Sequence, residues 1–230
     1  KLIITCAFFG MGLNMITALN GLYNSTPINS AIITTLAPIF IFIISVFLLK
    51  EKITKIKYLG VFIGFIGTLT LILLNEKSIA NAPNINLGNF YFFINSLSYA
   101  IYFVLVKPLT KKYSMITIMK WLFLFSIIIN MPFGLSEFTE INWTEISSNS
   151  LIKISYVVFC TTFLVYLLNL YALKNLKAST VGMFIYLQPV IGILFAIYRG
   201  ADKLTIADIS SVIMVFAGVY LVSKRSVQIT

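Results

Sequence analysis

A run of 48 residues without a charged side chain, from 2 to 49, limits what this chain can fold into. One helix crosses the hydrocarbon core of a bilayer with about 20 apolar residues, so the run is long enough for two spans. A cluster of turn-forming residues from Asn24 to Ser30 divides it. Over the whole chain 59% of the residues are hydrophobic and 10% are charged, against about 45–50% and 25% in soluble domains. The sequence therefore predicts an integral membrane protein.

Further uncharged runs predict the remaining spans. They are continuously apolar and do not alternate with a period of two, so they indicate helices and not the strands of a membrane β-barrel. The two longest connections, 75–87 and 136–150, are polar, and no linker is long enough to separate soluble domains. We therefore predict an all-α integral membrane bundle with eight transmembrane helices, near residues 2–22, 28–49, 57–74, 88–106, 116–135, 151–171, 179–198 and 207–222.

The cations divide unevenly between the two ends of these helices. With eight spans, thirteen of the seventeen Lys and Arg residues fall on one side, which is the cytoplasmic side by the positive-inside rule. Both chain ends are then cytoplasmic. This distribution also accounts for the net charge of +10 without a nucleic-acid partner. A high content of Ile, Asn, Lys and Phe hints at an AT-rich genome and so favours a bacterial inner membrane.

The chain resembles itself when it is shifted by 151 residues. The aligned pairs include Pro38 with Pro189, Glu51 with Asp202 and Gly67 with Gly218. By the cation rule, the helix that carries Pro38 runs inward and the helix that carries Pro189 runs outward. The two copies are therefore predicted to be inverted, as in many secondary transporters. They are the N-terminal repeat 1–78, with three helices, and the C-terminal repeat 86–225, with five. A complete pair would have ten helices, so the first two are expected to precede Lys1.

The repeated pattern resembles the EamA-like branch of the drug/metabolite transporter superfamily. The resemblance rests on a proline-bearing helix with its loop, SAIITTLAPIFIFIISVFLLKEKIT, and on the glycine-bearing helix YLGVFIGFIGTLTLILL. The C-terminal half repeats them as ALKNLKASTVGMFIYLQPVIGILFAIYRGADKLT and FAGVYLVSK, and SLSYAIYFVLVKPL resembles the sixth helix of the family. Asp202 in RGADKLT departs from the glutamate usual there. The resemblance implies a ten-helix transporter with its cavity between the two halves, and it says almost nothing about the substrate.

Two prolines and several polar stripes mark the candidate substrate site. Proline lacks an N–H and clashes with the carbonyl four residues earlier, so Pro38 and Pro189 are expected either to kink their helices for packing or to border a cavity at the membrane midplane. Polar side chains in a span need a neighbouring helix or a wet cavity, and several here share helix faces at spacings of three, four and seven residues. The predicted substrate-binding residues are Asn14, Thr34, Pro38, Asn95, Tyr99, Tyr102, Thr162, Tyr166, Asn169, Tyr186, Gln188 and Pro189.

The residue types that the chain lacks argue against an enzymatic function. The chain has no histidine, which removes histidine metal sites and Ser-His dyads, and it has no phosphate-binding glycine loop. No acidic residue lies deep in a predicted span, so Glu51 and Asp202 are interpreted as capping or ion-pairing groups. We predict no catalytic residue, metal or cofactor. The leading hypothesis is a permease for small organic metabolites, amino acids among them, that works by alternating access. The alternative is a non-transporting membrane scaffold or an inactive, truncated remnant.

A face of small residues is formed by Gly60, Gly64 and Gly67. Glycines at this spacing let two helix backbones approach closely. The partner helix can belong to the same chain or to a second copy, so packing within the chain and a homodimer are both compatible with the sequence.

Overall fold

The computed structural model describes residues 1–25, 27–51, 54–74, 83–143, 146–188, 190–191, 198 and 206–223. In these residues the backbone is helical apart from short turns, and none of them forms a strand. The helices are α1 (Leu2–Asn24), α2 (Pro27–Thr34), α3 (Leu36–Leu49), α4 (Lys55–Leu74), α5 (Ile85–Thr110), α6 (Met115–Glu140), α7 (Ser148–Asn175), α8 (Ala178–Met183) and α9 (Ile206–Ser223).

Five stretches of helix in the described part of the chain are long and apolar enough to cross a membrane. They are Leu2–Asn24, Asn29–Leu49, Ile85–Thr110, Met115–Ser136 and Ser148–Asn175, and Ile209–Val222 is a shorter apolar helix. The prediction of an all-helical fold, with helices long and apolar enough to span a membrane, is thereby confirmed for the described residues. The count of eight spans stays a prediction, because much of the predicted helix 179–198 lies outside the described residues.

Irregular turns interrupt the helices at positions that the apolar pattern does not mark. A π-helix occupies Phe8–Leu13 within α1, and another occupies Val157–Leu164 within α7. The helix ends at Thr34 and resumes at Leu36, two residues before Pro38, whose nitrogen has no hydrogen to donate to the carbonyl of Thr34. A 3-10 turn, Phe184–Tyr186, follows α8.

Helix α5 is the centre of the bundle. It packs against α1, α2, α3, α6 and α7, and its residues Tyr102, Phe103 and Val104 are at most 1% exposed. In contrast, only 6% of the most apolar window of α7 is buried within the chain. The exposed side of α7 is rich in aliphatic and aromatic residues, which is the surface that lipid requires.

The glycine face of α4 packs against α9 within the same chain. A methyl group added to Gly60 would lie 2.9 Å from the carbonyl oxygen of Gly218, and one added to Gly67 would lie 3.0 Å from that of Ser211. The two helices therefore cross in antiparallel directions with their backbones in contact. Packing within the chain therefore covers Gly60, Gly64 and Gly67, because α9 and the ring of Tyr186 occupy that face, and a homodimer through it is not shown.

Candidate functional site

A cavity of about 450 Å³, here called the polar cavity, lies between α1, α2, α3, α5 and α7. Gln188 and the 3-10 turn after α8 close one side of it. None of its described lining residues carries a charge. Seven predicted site residues, which are far apart in the chain, line it together: Asn14, Thr34, Asn95, Tyr99, Thr162, Tyr166 and Gln188.

A second cavity, of about 190 Å³, adjoins the polar cavity and shares Thr34, Ile185 and Gln188 with it. Thr35 and Tyr186 complete its polar lining. It therefore lies where the break between α2 and α3 meets the 3-10 turn. The shift of 151 residues aligns Thr34 with Ile185 and Thr35 with Tyr186, so both halves of the sequence contribute equivalent positions to this cavity.

Three of the described site residues do not line the polar cavity or its neighbour. Pro38 is buried beside the helix break, and Tyr102 is buried behind the cavity, with its ring 5.7 Å from that of Tyr166. Asn169 is also behind the wall, where it contacts Tyr99. Pro189 lies outside the described residues.

Several lining residues were missed, most of them because they are apolar and polarity was the criterion for selection. Ser96 and Thr161 are polar and each adjoins a selected residue, Asn95 or Thr162. Periodicity gives a usable signal for some of them. Ala18 lies one turn after Asn14, and Val165 lies one turn after Thr161 on the same face of α7. The missed residues are Met15, Ala18, Leu19, Ala37, Ser96, Thr161, Val165 and Ile185.

Two asparagines join α1 to α5 at the edge of the polar cavity. Asn14 Nδ2 donates to the carbonyl oxygen of Asn95 at 3.2 Å, and Asn95 Nδ2 donates to the carbonyl oxygen of Asn14 at 2.7 Å. Each side chain thus uses its amide nitrogen to bond one helix to the other. Within the described residues no donor bonds to either Oδ1 atom, so the two amide oxygens are free to accept hydrogen bonds at the cavity.

The aromatic part of the wall is also held by hydrogen bonds. The hydroxyl oxygen of Tyr99 accepts a bond from Asn169 Nδ2 at 3.1 Å. The hydroxyl of Tyr166 donates to the carbonyl oxygen of Gly10. These bonds fix the orientation of both rings, so the cavity presents two preformed aromatic surfaces.

The π-helix in α1 is stabilised from three directions. The carbonyl of Phe9 accepts from Ser98 Oγ at 2.6 Å, and the carbonyl of Met11 accepts from Asn130 Nδ2 at 3.3 Å. With the bond from Tyr166 to Gly10, three consecutive carbonyls are bonded by side chains of α5, α7 and α6. In lipid such partners matter because water cannot replace them. The π-helix thereby connects the three helices around the cavity.

Comparison with known proteins identifies the family. The model of the EamA-like transporter family matches residues 1–73 and 86–224, which is most of the chain. The chain belongs to the EamA-like transporter family. This EamA-like chain is accordingly an integral membrane protein of the transporter class, and the resemblance to the drug/metabolite transporter superfamily is confirmed.

Curated relatives of this EamA-like chain share the general name of transporter. An uncharacterized transporter of Archaeoglobus fulgidus is 29% identical over 90% of this chain and 71% of its own length. The uncharacterized transporters YetK and YyaM of Bacillus subtilis are 25% and 27% identical, over 83% and 88% of this chain. The chain spans 58% of YetK and 66% of YyaM, so it covers less than two thirds of either.

A solved structure has the same fold. A crystal structure of another protein superimposes with a TM-score of 0.80 over 97% of the EamA-like chain and 76% of the other chain. The two sequences are 13% identical. The similarity therefore concerns the fold alone.

Proposed function

We propose that this EamA-like chain carries the substrate pathway of a permease that moves small organic metabolites, amino acids among them, by alternating access. The observation that carries the proposal is the uncharged polar cavity, which five helices and the 3-10 turn surround. Its volume of about 450 Å³ lies within the range of roughly 300–1,000 Å³ that is usual for small-molecule sites.

The lining of the cavity favours an uncharged or zwitterionic substrate. The Oδ1 atoms of Asn14 and Asn95 can accept hydrogen bonds from an ammonium, amide or hydroxyl group. The fixed rings of Tyr99 and Tyr166 can pack against an apolar or planar part of the same molecule. A net charge would leave water without an oppositely charged side chain among the described lining residues, and this is costly at membrane depth.

Several observations support two inverted repeats, 1–78 and 86–225, with eight spans. Gly218 lies against the carbonyl oxygen of Gly60, and Gly67 lies against that of Ser211. The shift of 151 residues exchanges these two contacts, and the helices involved are antiparallel. The same shift carries the first π-helix onto residues 159–164 of the second. The family match in two segments agrees with this division.

The mechanism that we propose is rocking of the two halves about the irregular turns. The break at Thr35 and the 3-10 turn Phe184–Tyr186 meet at the second cavity. Such turns can change their backbone angles at lower cost than a continuous helix, because fewer helical hydrogen bonds must be broken. Movement there would open the polar cavity to one side of the membrane at a time.

The orientation that we propose follows from the lysines. The ends of α3, α5 and α7 carry Lys50, Lys107 and Lys174, and the positive-inside rule assigns them to the cytoplasmic side of a bacterial inner membrane. Both chain ends then lie in the cytoplasm.

Counterflow into liposomes tests the proposal. The purified chain is reconstituted, and the trapping of labelled neutral amino acids and uncharged metabolites is measured for the unaltered chain and three variants. We expect Asn14→Leu and Thr162→Val to reduce flux at least about tenfold, since loss of polar partners in a site costs about 1–3 kcal/mol. Asn20→Leu is the matched control, because Asn20 is exposed on the same helix and its amide bonds to Ile16.

Thermal stability is measured on the same samples to separate binding from folding. Asn14→Leu also removes the bond to Asn95, whereas the hydroxyl of Thr162 bonds within its own helix, to Val157. The proposal is refuted if the unaltered chain moves none of these compounds, or if both cavity variants retain full flux.

A further inference from the structure

A second polar site lies where three helices end, away from the polar cavity. A cavity of about 690 Å³, here called the lysine cavity, is formed by the C-terminal ends of α3, α5 and α7. Six lysines line it: Lys50, Lys107, Lys111, Lys112, Lys174 and Lys177. Glu51 is the acid among its described lining residues.

The carboxylate of Glu51 is already engaged. Its Oε1 accepts from the backbone N–H of Ala178 at 2.9 Å, and its Oε2 accepts from Ser179 Oγ at 2.6 Å. Glu51 therefore caps the N-terminus of α8, which agrees with its interpretation as a capping residue. It gives the lysines no ion pair within the described part of the chain.

One of the six lysines is also engaged. Lys107 is half-buried, and its Nζ donates to the carbonyl of Leu173 at 3.2 Å and to that of Leu176. This bonds the end of α7 to α5. The other five lysines are exposed, and no bond from their ammonium groups to a described residue is present.

The cavity keeps a surplus of positive charge. A helix C-terminus carries about half a negative charge, so three of them together with Glu51 offset fewer than half of the six lysines. Lysine binds phosphate as a point charge on a flexible stem. Leu49, Pro108 and Leu176 add an apolar side to the same cavity, and Leu176 is 47% exposed.

We propose that the lysine cavity binds the phosphate of an anionic phospholipid headgroup from the cytoplasmic leaflet. The cavity lies at the ends of apolar spans, which is the depth of the headgroups, and the apolar side can contact the first part of an acyl chain. Basic pockets at the cytoplasmic ends of membrane helices are suited to such headgroups. The leaflet assignment rests on the orientation given under the proposed function, whereas binding itself requires no transport.

Lipid titration of the purified full chain in neutral detergent tests this site. Native mass spectrometry measures the binding of short-chain phosphatidylglycerol and of phosphatidylcholine with the same acyl chains. We expect phosphatidylglycerol to bind at least about tenfold more tightly. The double variant Lys111→Gln/Lys174→Gln should weaken it roughly 30-fold, at about fivefold for each lysine.

The double variant Lys55→Gln/Lys120→Gln is the matched control, because both lysines are exposed and neither lines the cavity. It should bind phosphatidylglycerol as the unaltered chain does. Equal losses in the two double variants would overturn the proposal, since general surface charge would then explain the binding. Glycerol phosphate that binds as tightly as the lipid would also overturn it, in favour of a soluble phosphorylated ligand. These results are independent of the counterflow result, so the two proposals can fail separately.

Discussion

Replacement of Gly218 by alanine tests the close backbone contact between α4 and α9. A methyl group at Gly218 would lie 2.6 Å from the carbonyl oxygen of Gly60, and 2.7 Å and 2.8 Å from the nitrogen and Cα of Gly64. All three atoms belong to the backbone, so no side chain can rotate away. Ordinary contact begins at 3.4 Å, and α4 and α9 must therefore separate by roughly 0.8 Å, the difference between 3.4 and 2.6 Å.

The cost follows from the packing that this separation removes. A gap of about 0.5–1 Å forfeits a quarter to a half of the dispersion energy of each contact across it. Helix association in lipid depends on this packing, because lipid and side chains are equally apolar. Overpacking of this kind costs about 1–3 kcal/mol, which outweighs the gain of roughly 1 kcal/mol in helix propensity that alanine brings.

Gly134→Ala is the control, because a methyl group at Gly134 would have no atom within 4 Å. Unfolding is followed in detergent with a thiol-reactive dye in a Cys160→Ala background, where Cys6, fully buried in the native chain, reports loss of structure. We expect Gly218→Ala to lower the unfolding temperature by about 2–4 °C for each kcal/mol, and Gly134→Ala to leave it unchanged or raised. Equal unfolding temperatures for the two variants would refute the close contact between α4 and α9.

Three further predictions concern single groups. Tyr166→Phe removes the hydrogen bond to the π-helix of α1 and should destabilise the chain by about 1 kcal/mol in the same thermal assay. Tyr156→Phe is the control, because Tyr156 is on the exposed side of α7 and its replacement should not change stability. Equal effects of the two variants would contradict this account. Glu51→Gln should keep counterflow within about twofold of that of the unaltered chain. It should lower the free energy of unfolding by roughly 0.5–1 kcal/mol, because α8 loses the charge at its N-terminus. A large loss of flux at unchanged stability would contradict the capping role. Counterflow should be constant between about pH 5 and 8, since the chain has no histidine and the described cavity lining has no acid, and a bell-shaped pH profile would disprove it.

The sequence was sufficient to predict an all-helical membrane protein and to select seven residues that line the polar cavity, for a physical reason. Asn95 and Tyr99 are one turn apart on α5, and the cost of burying an amide in lipid requires that face to meet a polar partner. The same argument selects Asn14 on α1. What brought them into one site is the packing of α1 and α7 on α5, which no local pattern encodes.

The π-helices could not be predicted from the same pattern. In the π-helix of α1, three carbonyls are bonded by Ser98, Asn130 and Tyr166, which are distant in sequence from the carbonyls that they bond. These three side chains are polar residues within predicted spans, so their burial was expected but their acceptors were not. The glycine face had two possible partners for a similar reason, and only the fold determined that α9 is the one.

The two sides of the polar cavity differ in how they are held, and this difference indicates which side moves. On one side, Asn14, Asn95 and Tyr166 bond across helices, so a shift of α1 against α5 or α7 would break hydrogen bonds that lipid cannot replace. On the other side, the described bond from α5 to α2, from Ser96 Oγ to the carbonyl of Ile33, is the longest of these bonds at 3.3 Å. Thr34 donates to the carbonyls of its own helix, at Ser30 and at Ala31, beside the break at Thr35. We therefore expect α2, α3 and α8 to move during transport while α1, α5 and α7 keep their arrangement. Positions 21 on α1 and 92 on α5 are in contact and do not line the polar cavity. A cross-link between cysteines placed there would then leave counterflow as it is in the reduced double variant, whereas loss of flux on cross-linking would contradict this division of the cavity.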